Sequence, residues 1–365
     1  MSHQKDKSPR ILIASAWTGG HIFPGISICE AIKKRHKRDM EIFFITNKKG
    51  PAANILHRYG YKTIFLDTGG IKGKGKGAIK NILKLLPSFF NSFNIVKRLS
   101  PSIILGLGGS LSGPICLAGK LLNIPVLIHE QNLFPGLTNR LLCPFADKIF
   151  VSFQETKILL KKSNIIVSGN PVREEFFHIK KQKRDIFTIL VMGGSQGSLA
   201  INHAFLNALD ILRKQGRRIR VIHQTGKIDY ELIRDKYEEL ALQDCVVVPF
   251  IEDMPSVFRE VDLVISRSGA STIFELSASG TPSILIPYPY ATDQHQEKNA
   301  RALVRLGGAE IIHQKDLSGQ RLAQVITRYM DHPDELKKMQ KNAKLLARPE
   351  SASIIAEHVM EIIKA

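Results

Sequence analysis

Short apolar runs rich in β-branched residues alternate with amphipathic stretches along almost the whole chain. The runs predict strands at 11–14, 41–45, 63–66, 103–107, 126–128, 148–151 and 165–167. They resume at 187–192, 220–222, 246–248, 262–265, 283–286 and 310–312. Strands that alternate with helices argue for parallel sheets flanked by helices. The pattern breaks once, in the charged and irregular stretch 170–185, and restarts at Phe187. Two doubly wound α/β domains facing each other across a cleft are the economical reading, and 365 residues suit two domains better than one. The last segment, Ser351–Lys364, has a helical pattern whose spacing does not say which domain it packs on.

Polar residues at the strand ends carry the candidate chemistry. The apolar run 262–265 is followed at once by Ser-Arg-Ser-Gly and then by a helical pattern over 270–279. Small residues at such a turn let another molecule approach the backbone, and the positive dipole end of the helix favours an anion, typically phosphate. Glu275, about one and a half turns further in, is poorly placed for phosphate and well placed for sugar hydroxyls of the same ligand. The next strand ends in Pro287-Tyr-Pro-Tyr, and the polar run Asp293, Gln294, His295, Gln296 opens the helix after it. Open parallel sheets bind ligands at these strand ends. Two further turns, Thr18-Gly19-Gly20-His21 and Gly193-Gly194-Ser195-Gln196-Gly197, stand at equivalent places. Neither is GxGxxG and none is a Walker loop. Glycine-rich turns also occur in sheets that bind nothing. Their recurrence in two similar halves is what points to a diphosphate-containing ligand. A fourth stretch, GLGGSLSGP (106–114), leads towards His129-Glu130-Gln131-Asn132, where an imidazole and a carboxylate meet at one strand end. That pairing suits either general base work or a hydrogen-bonded structural cluster.

Charge changes the picture. Lys and Arg total 52 against 33 Asp and Glu, a formal net charge of +19, which implies an anionic partner: nucleic acid, an anionic membrane or a phosphorylated substrate. No acidic residue lies between Asp67 and Glu130. In that interval Lys72, Lys74, Lys76, Lys80 and Lys84 are interleaved with Ile79, Leu83, Leu86, Phe89 and Phe90. An ordinary helix pair with its lysines in water accounts for part of this. It does not account for GIKGKGKGAIK (70–80), which is too glycine-rich for a stable helix and reads as a mobile basic loop. No apolar run approaches the ~20 residues of a spanning helix, and the N-terminus lacks the apolar stretch of a signal peptide. The four cysteines are far apart, in no CxxC or metal-type spacing, and read as reduced core residues of a cytoplasmic protein. There is no Asp-x-Asp pair and no His/Cys cluster, so neither a cofactor nor a protein-bound metal is implied. Stacking-aromatic motifs of RNA-binding sheets are absent, which sets nucleic acid aside.

The motifs TGGHIFPG (18–25), GLGGSLSGP, HEQN with GLTNRL (129–141), GNPVR (169–173), GGSQGS (193–198), HQTGK (223–227), PFIEDM (249–254) and SRSGASTIFELSASGTPSILIP (266–287) occur in this order over nearly the whole chain. Together they resemble the MurG family, the peripheral glycosyltransferases of peptidoglycan synthesis. The resemblance implies a GT-B type fold: an acceptor- and membrane-facing domain over 1–172 and a UDP-sugar-binding domain over 173–345. A C-terminal helix, 346–365, would follow, and its return to the first domain is one option. It implies inverting transfer of N-acetylglucosamine from UDP-N-acetylglucosamine to the C4 hydroxyl of undecaprenyl-pyrophosphoryl-MurNAc-pentapeptide, lipid I, giving lipid II. This would take place on the cytoplasmic face of the bacterial inner membrane.

Carried over by motif, Glu275 holds the ribose hydroxyls and Ile251 meets uracil through its backbone. Ser195 and the helix start Ala270, Ser271, Thr272 contact the diphosphate, and Ile273 and Phe274 are counted with the donor-binding residues. Gln296 reads the N-acetylglucosamine hydroxyls. Thr18, Gly19, Gly20, Asn132 and Arg173 complete the donor pocket, and His21 and Glu130 stand near the acceptor hydroxyl. Lys72, Lys74, Lys76, Ile79, Lys80, Leu83, Phe89 and Phe90 would dock on an anionic membrane surface. Three positions depart from the family's pattern: Ala16 and Trp17, the only tryptophan, replace a usual Gly-Gly pair, and Ser110 stands where an aromatic is common. The rival on a similar fold is a UDP-N-acetylglucosamine 2-epimerase, which would share the nucleotide contacts and need no lipid-facing patch. The oligomeric state stays open.

Overall fold

The computed structural model describes residues 8–16, 18–36, 39–48, 52–66, 78–182, 185–240 and 244–364, and from 78 to 86 it describes the backbone alone. Trp17, Lys72, Lys74 and Lys76 therefore lie outside the described residues. The chain divides into two compact units: Met1–Arg173 with Glu350–Ala365, and Glu174–Pro349.

The first unit runs β1 (Arg10–Ala14), α1 (Gly19–Arg35), β2 (Glu41–Thr46), α2 (Ala52–Arg58), β3 (Lys62–Phe65), α3 (Ala78–Leu99), β4 (Ile103–Gly106) and α4 (Ser112–Leu121). It continues with β5 (Val126–Glu130), α5 (Leu137–Leu142), β6 (Lys148–Val151), α6 (Gln154–Leu160) and β7 (Ile165–Val167). Among the described residues its sheet has seven strands in the order β3-β2-β1-β4-β5-β6-β7, all paired in parallel. β1, β4 and β5 are almost wholly buried because helices cover both faces, which is why they read as unbroken apolar runs. β5 extends two residues past its expected end at Ile128. Its ladder with β6 continues through His129 opposite Phe150 and Glu130 opposite Val151, so pairing overrides the polar character of the two residues. The basic stretch expected as a loop ends earlier than its sequence suggested. Ala78, Ile79 and Lys80, just past the last glycine, already open α3.

The second unit runs β8 (Phe187–Met192), α7 (Leu199–Lys214), β9 (Ile219–Gln224), α8 (Tyr230–Glu239), β10 (Cys245–Val248), α9 (Met254–Glu260) and β11 (Leu263–Ser266). It continues with α10 (Ala270–Ser279), β12 (Ser283–Leu285), α11 (His295–Arg305), β13 (Glu310–Ile311), α12 (Gly319–Asp331) and α13 (Pro333–Ala343). The described strands form a parallel sheet in the order β10-β9-β8-β11-β12-β13. α14 (Ser351–Lys364) belongs to the first unit. Ile355, Ala356, Val359 and Met360 recur at helical spacing and bury against Ile11, Ile13 and Ile26 of the first core.

In both sheets the chain winds outward from a central strand in one direction and then in the other. The reversal falls between β1 and β4 in the first unit and between β8 and β11 in the second. Ligands of doubly wound sheets bind beyond the carboxyl ends of the strands at this reversal. Ser15 and Ala16 after β1, 107–111 after β4, 193–198 after β8 and 267–269 after β11 are the residues that emerge there.

Candidate functional site

In the first unit, Thr18 caps α1 in an extended conformation, and its carbonyl accepts the N–H groups of His21 (3.0 Å) and Ile22 (3.2 Å). Its Oγ1 lies 2.9 Å from His21 Nδ1, which fixes the ring in the first helical turn. Gly108 and Gly109 follow β4 at φ +84° and +82°. A Cβ on Gly108 would lie 3.6 Å from the His21 ring, and one on Gly109 would lie 2.5 Å from the Cβ of Ala16. The second contact bears on the departure at Ala16: a side chain at 16 is accommodated because 109 has none. Ser112 Oγ, 2.8 Å from the Ala14 carbonyl and 2.7 Å from that of Gly108, ties the two loops together.

His129 and Glu130 are adjacent strand residues, so their side chains leave opposite faces of the sheet. His129 is fully buried, with Nε2 3.1 Å from the Gly169 carbonyl; Nε2 therefore carries the proton, and Nδ1 has no partner among the described residues. Burial pushes its pKa down to about 4, with the nearby His21 adding to the fall and the bond to Gly169 opposing it. Glu130 is 2% exposed. Its Oε1 accepts from Asn132 N (2.9 Å) and Asn132 Nδ2 (3.2 Å), and its Oε2 from Gly136 N (2.9 Å) and Asn139 Nδ2 (2.8 Å). Burial raises its pKa against the pull of these bonds. A carboxylate offers about four acceptor positions, and here all are taken. The sequence placed Glu130 beside His21 as a candidate for the acceptor hydroxyl. In the structure the Glu130 carboxylate is engaged by the loop after β5, with Asn132 bound into the same network. Arg173, also buried, lays its guanidinium 4.1 Å from the centre of the Phe23 ring on α1.

In the second unit, glycines of the 193–198 loop serve loop-on-loop packing as much as ligand approach. A Cβ on Gly197 would collide with the Thr225 carbonyl, and one on Gly226 with that of Gln196. Gly194, at φ +85°, has open space where a side chain would stand. The loop is held from behind by residues that motif reading did not single out. Gln224 donates through Nε2 to the Gly194 carbonyl (2.9 Å) and accepts through Oε1 from Ile251 N–H (3.0 Å). Asn202 donates to the Thr225 carbonyl and to Asp229 (each 2.9 Å), while His223 joins Asn202 to Tyr237. His223 is buried and its pKa falls to about 3. The bond to Gln224 narrows the expectation for Ile251: its backbone N–H is engaged, and its carbonyl is the backbone group left to meet a base.

α10 begins at Gly269 in an extended conformation with no side-chain cap, and its first internal bond runs from Ile273 N–H to the Gly269 carbonyl (3.0 Å). The donors ahead of that bond belong to Ala270, Ser271 and Thr272. Ile273 and Phe274 do not fit the contact role expected of them: both side chains are buried, and Ile273 N–H is committed to the helix. Glu275 is half-buried, one position beyond them. Gln296, at the start of α11, accepts Tyr288 N–H on Oε1 (3.0 Å), and its carbonyl lies 2.8 Å from Ser268 Oγ.

Arg267 was not singled out from the sequence, although it stands in the quoted SRSG. Its guanidinium is buried and donates to the carbonyls of Ile286 (3.1 Å) and Pro287 (3.2 Å), to Ser198 Oγ (2.7 Å) and to Gln314 Oε1 (2.6 Å). Among the described residues it has no carboxylate partner. Burial lowers its pKa to about 10, so it stays charged at neutral pH. Arg267 is thus a buried cation among neutral acceptors, between the 193–198 loop and the start of α10.

For the basic interval, Ile79, Lys80 and Leu83 lie in α3, where only the backbone is described. Phe89 is half-buried and packs on the core beside Phe93, so it is not the exposed anchor expected, whereas Phe90 is 61% exposed. Leu117 and Leu121 on α4, with Leu137 and Leu141 on α5, are exposed too, and α4 packs against both α3 and α5. Each pair is spaced i, i+4, a face that sequence could have shown as one apolar stripe too many for these short helices.

Two doubly wound parallel sheets, each with its loops gathered at the reversal point, are the architecture of GT-B type glycosyltransferases. The glycosyltransferase family 28 N-terminal domain matches residues 11–151, and the family 28 C-terminal domain matches 188–356. The chain is 38% identical over 361 residues to the UDP-N-acetylglucosamine–N-acetylmuramyl-(pentapeptide) pyrophosphoryl-undecaprenol N-acetylglucosamine transferase of Myxococcus xanthus, covering 97% of this chain and 93% of that protein. It is 40% identical to the protein of the same name from Syntrophus aciditrophicus, covering 97% and 99%. The crystal structure of Acinetobacter baumannii MurG superimposes with a TM-score of 0.75 at 28% identity, covering 97% and 99%. The chain belongs to the MurG family. A putative UDP-N-acetylglucosamine 2-epimerase from Listeria monocytogenes superimposes with a TM-score of 0.71 at 14% identity, a likeness of fold alone.

Proposed function

We infer that the protein transfers N-acetylglucosamine from UDP-N-acetylglucosamine to the C4 hydroxyl of lipid I, with inversion, forming lipid II in peptidoglycan synthesis. The observation that carries the donor half is Arg267 behind the uncapped start of α10. The acceptor oxygen bonds to the anomeric carbon as the bond from that carbon to the diphosphate oxygen breaks. Negative charge gathers on the departing UDP, where the Ala270–Thr272 donors, Ser195 and the Arg267 charge lower its energy. Glu275 takes the ribose hydroxyls, the Ile251 carbonyl faces uracil, and the amide nitrogen of Gln296 reads the sugar. His21, oriented by Thr18, accepts the proton of the attacking hydroxyl. Glu130, Asn132 and Arg173 hold the surrounding loops.

The test is UDP release with and without a lipid I analogue. Release that depends on the analogue, with formation of the disaccharide, is expected. A new UDP-sugar made from the donor alone would instead mark an epimerase.

The first unit takes the acceptor and docks peripherally on the cytoplasmic face of the inner membrane. No helix among the described residues is long and apolar enough to cross a membrane. Support for docking comes from Phe90, Leu117, Leu121, Leu137 and Leu141, exposed on adjoining helices within the acid-free interval and just beyond it. Basic residues near an anionic surface contribute about 1 kcal/mol each. Sedimentation with vesicles should show binding that rises with anionic lipid and falls with salt. Replacing Lys72, Lys74, Lys76 and Lys80 with Glu, together with Leu121→Glu, should abolish it and spare transfer to a water-soluble acceptor. Unchanged vesicle binding would place the docking face elsewhere.

A further inference from the structure

The loop between β12 and α11 carries two aromatic rings that no role above uses. Tyr288 is 44% exposed and Tyr290 80%. Their centroids are 5.6 Å apart with planes at 74°, so each ring supports the other and neither folds into the core. Single surface aromatics carry little information, but two exposed rings in mutual contact beside polar site residues form an apolar patch available to a ligand.

The loop's position is set by residues of the donor site. Gln296 Oε1 holds Tyr288 N–H, Arg267 donates to the Pro287 carbonyl, and the Arg267 guanidinium lies 5.4 Å from the centre of the Tyr288 ring. The turn is further defined by Ala291 N–H bonding to the Tyr288 carbonyl (3.2 Å). The chain then passes through Asp293 and Gln294 at φ +52° and +53°. These left-handed positions cost energy for residues other than glycine and persist where the surroundings hold them. The same two side chains that would contact diphosphate and sugar therefore also fix the aromatic pair.

We propose that the Tyr288–Tyr290 pair is an aromatic wall for the pyranose ring of the donor, one ring stacking on the sugar and the other set edge-on against it, making them specificity-determining residues for the sugar as opposed to the nucleotide. The axial C–H groups on one face of a hexopyranose are weakly positive, and the face of a phenol ring is negative, so the two attract on contact. A ring seated there keeps its hydroxyls edge-on to Gln296 while the diphosphate lies against α10. The phenol hydroxyls are not required; the ring faces are. This inference rests on the donor reading of the site.

Titration calorimetry with UDP and with UDP-N-acetylglucosamine separates the possibilities. In the double variant Tyr288→Leu/Tyr290→Leu, volume is kept and the π-face lost. Affinity for UDP-N-acetylglucosamine and 1/KM for the donor should fall about five- to tenfold, the worth of an aromatic contact, with UDP affinity unchanged. Tyr288→Phe/Tyr290→Phe should behave as the parent. Equal losses for UDP and the UDP-sugar would put the rings on the nucleotide and overturn the proposal. So would a change confined to the KM of the acceptor, or no change at all. A parent protein that binds neither UDP nor the sugar nucleotide would remove the donor reading and this inference with it, a result distinct from all of these.

Discussion

The turns that open α1 and α10 begin alike and end differently. Each follows a central buried strand at the reversal of its sheet, each starts a helix from an extended residue, and neither helix has a side-chain hydrogen bond capping its first turn. At α1 the first turn carries His21, an imidazole oriented by Thr18. At α10 the turn carries no titratable side chain before Glu275; the charge sits two residues before the cap, in the buried Arg267. On the proposed function, one turn moves a proton and the other holds an anion. The shared geometry comes from the winding of the sheet, and the chemical difference from one or two side chains placed on it.

The largest effect that would sharpen this contrast is on turnover. His21→Ala should lower kcat by roughly 10²–10⁴-fold, the usual contribution of a general base, with UDP affinity nearly unchanged. If turnover barely moves, the first turn does not supply the base and the contrast is lost.

Arg267→Met is the mirror experiment. It removes a buried charge with four neutral hydrogen-bond partners, and UDP affinity should fall by about two orders of magnitude, since bonds to charged groups are worth roughly 1.5–3 kcal/mol. Arg267→Lys keeps the charge without the fork and should fall between the two. A Met variant that binds UDP as the parent does would show that the α10 turn holds no anion.

Glu275→Ala should weaken UDP binding by about one to two orders of magnitude through loss of charge-assisted bonds to the ribose. With deoxy-UDP lacking the 2′-hydroxyl the difference between parent and variant should shrink, since one of the two hydroxyls is gone. A full difference on that ligand would remove the ribose role.

The smallest effect concerns pH and the buried histidines behind the two turns. His129 and His223 have pKa values of about 4 and about 3, below the ordinary value near 6.5, because burial disfavours their charged forms. Their contribution to stability is therefore complete above about pH 6.5 and is lost as pH falls towards the folded values. Each should add uptake of about one proton on unfolding in that window, a slope of about 1.4 kcal/mol per pH unit. Urea unfolding at pH 7, 6 and 5 should show His129→Gln flattening the slope for the first unit, and His223→Gln doing so for the second. Identical slopes in parent and variants would mean that these rings are already charged in the fold.

Much of this molecule was determined by local pattern. Apolar runs bounded by glycine and polar residues placed the strands of both sheets, and α10 and α14 begin and end where their spacing predicts. Such features depend on neighbours within a few positions, so the sequence displays them directly. The glycine turns, Glu275 and Gln296 were visible for the same reason, and the order of the motifs identified the family.

Other features depended on partners distant along the chain. Glu130 looked like a candidate base and proved to be saturated by Asn132, Gly136 and Asn139, because the loop after β5 folds back over its carboxylate. Ile251 lost its N–H to Gln224, 27 positions away. Arg267 looked like an ordinary polar turn residue until Ser198 and Gln314 closed around it. α14 could have covered either core and covers the first, where its four apolar side chains meet α1 and the sheet. A hydrogen bond or a buried charge takes its meaning from what stands within about 3 Å of it. Which groups stand there is settled by the crossing of strands and loops, so only the tertiary structure decided these roles.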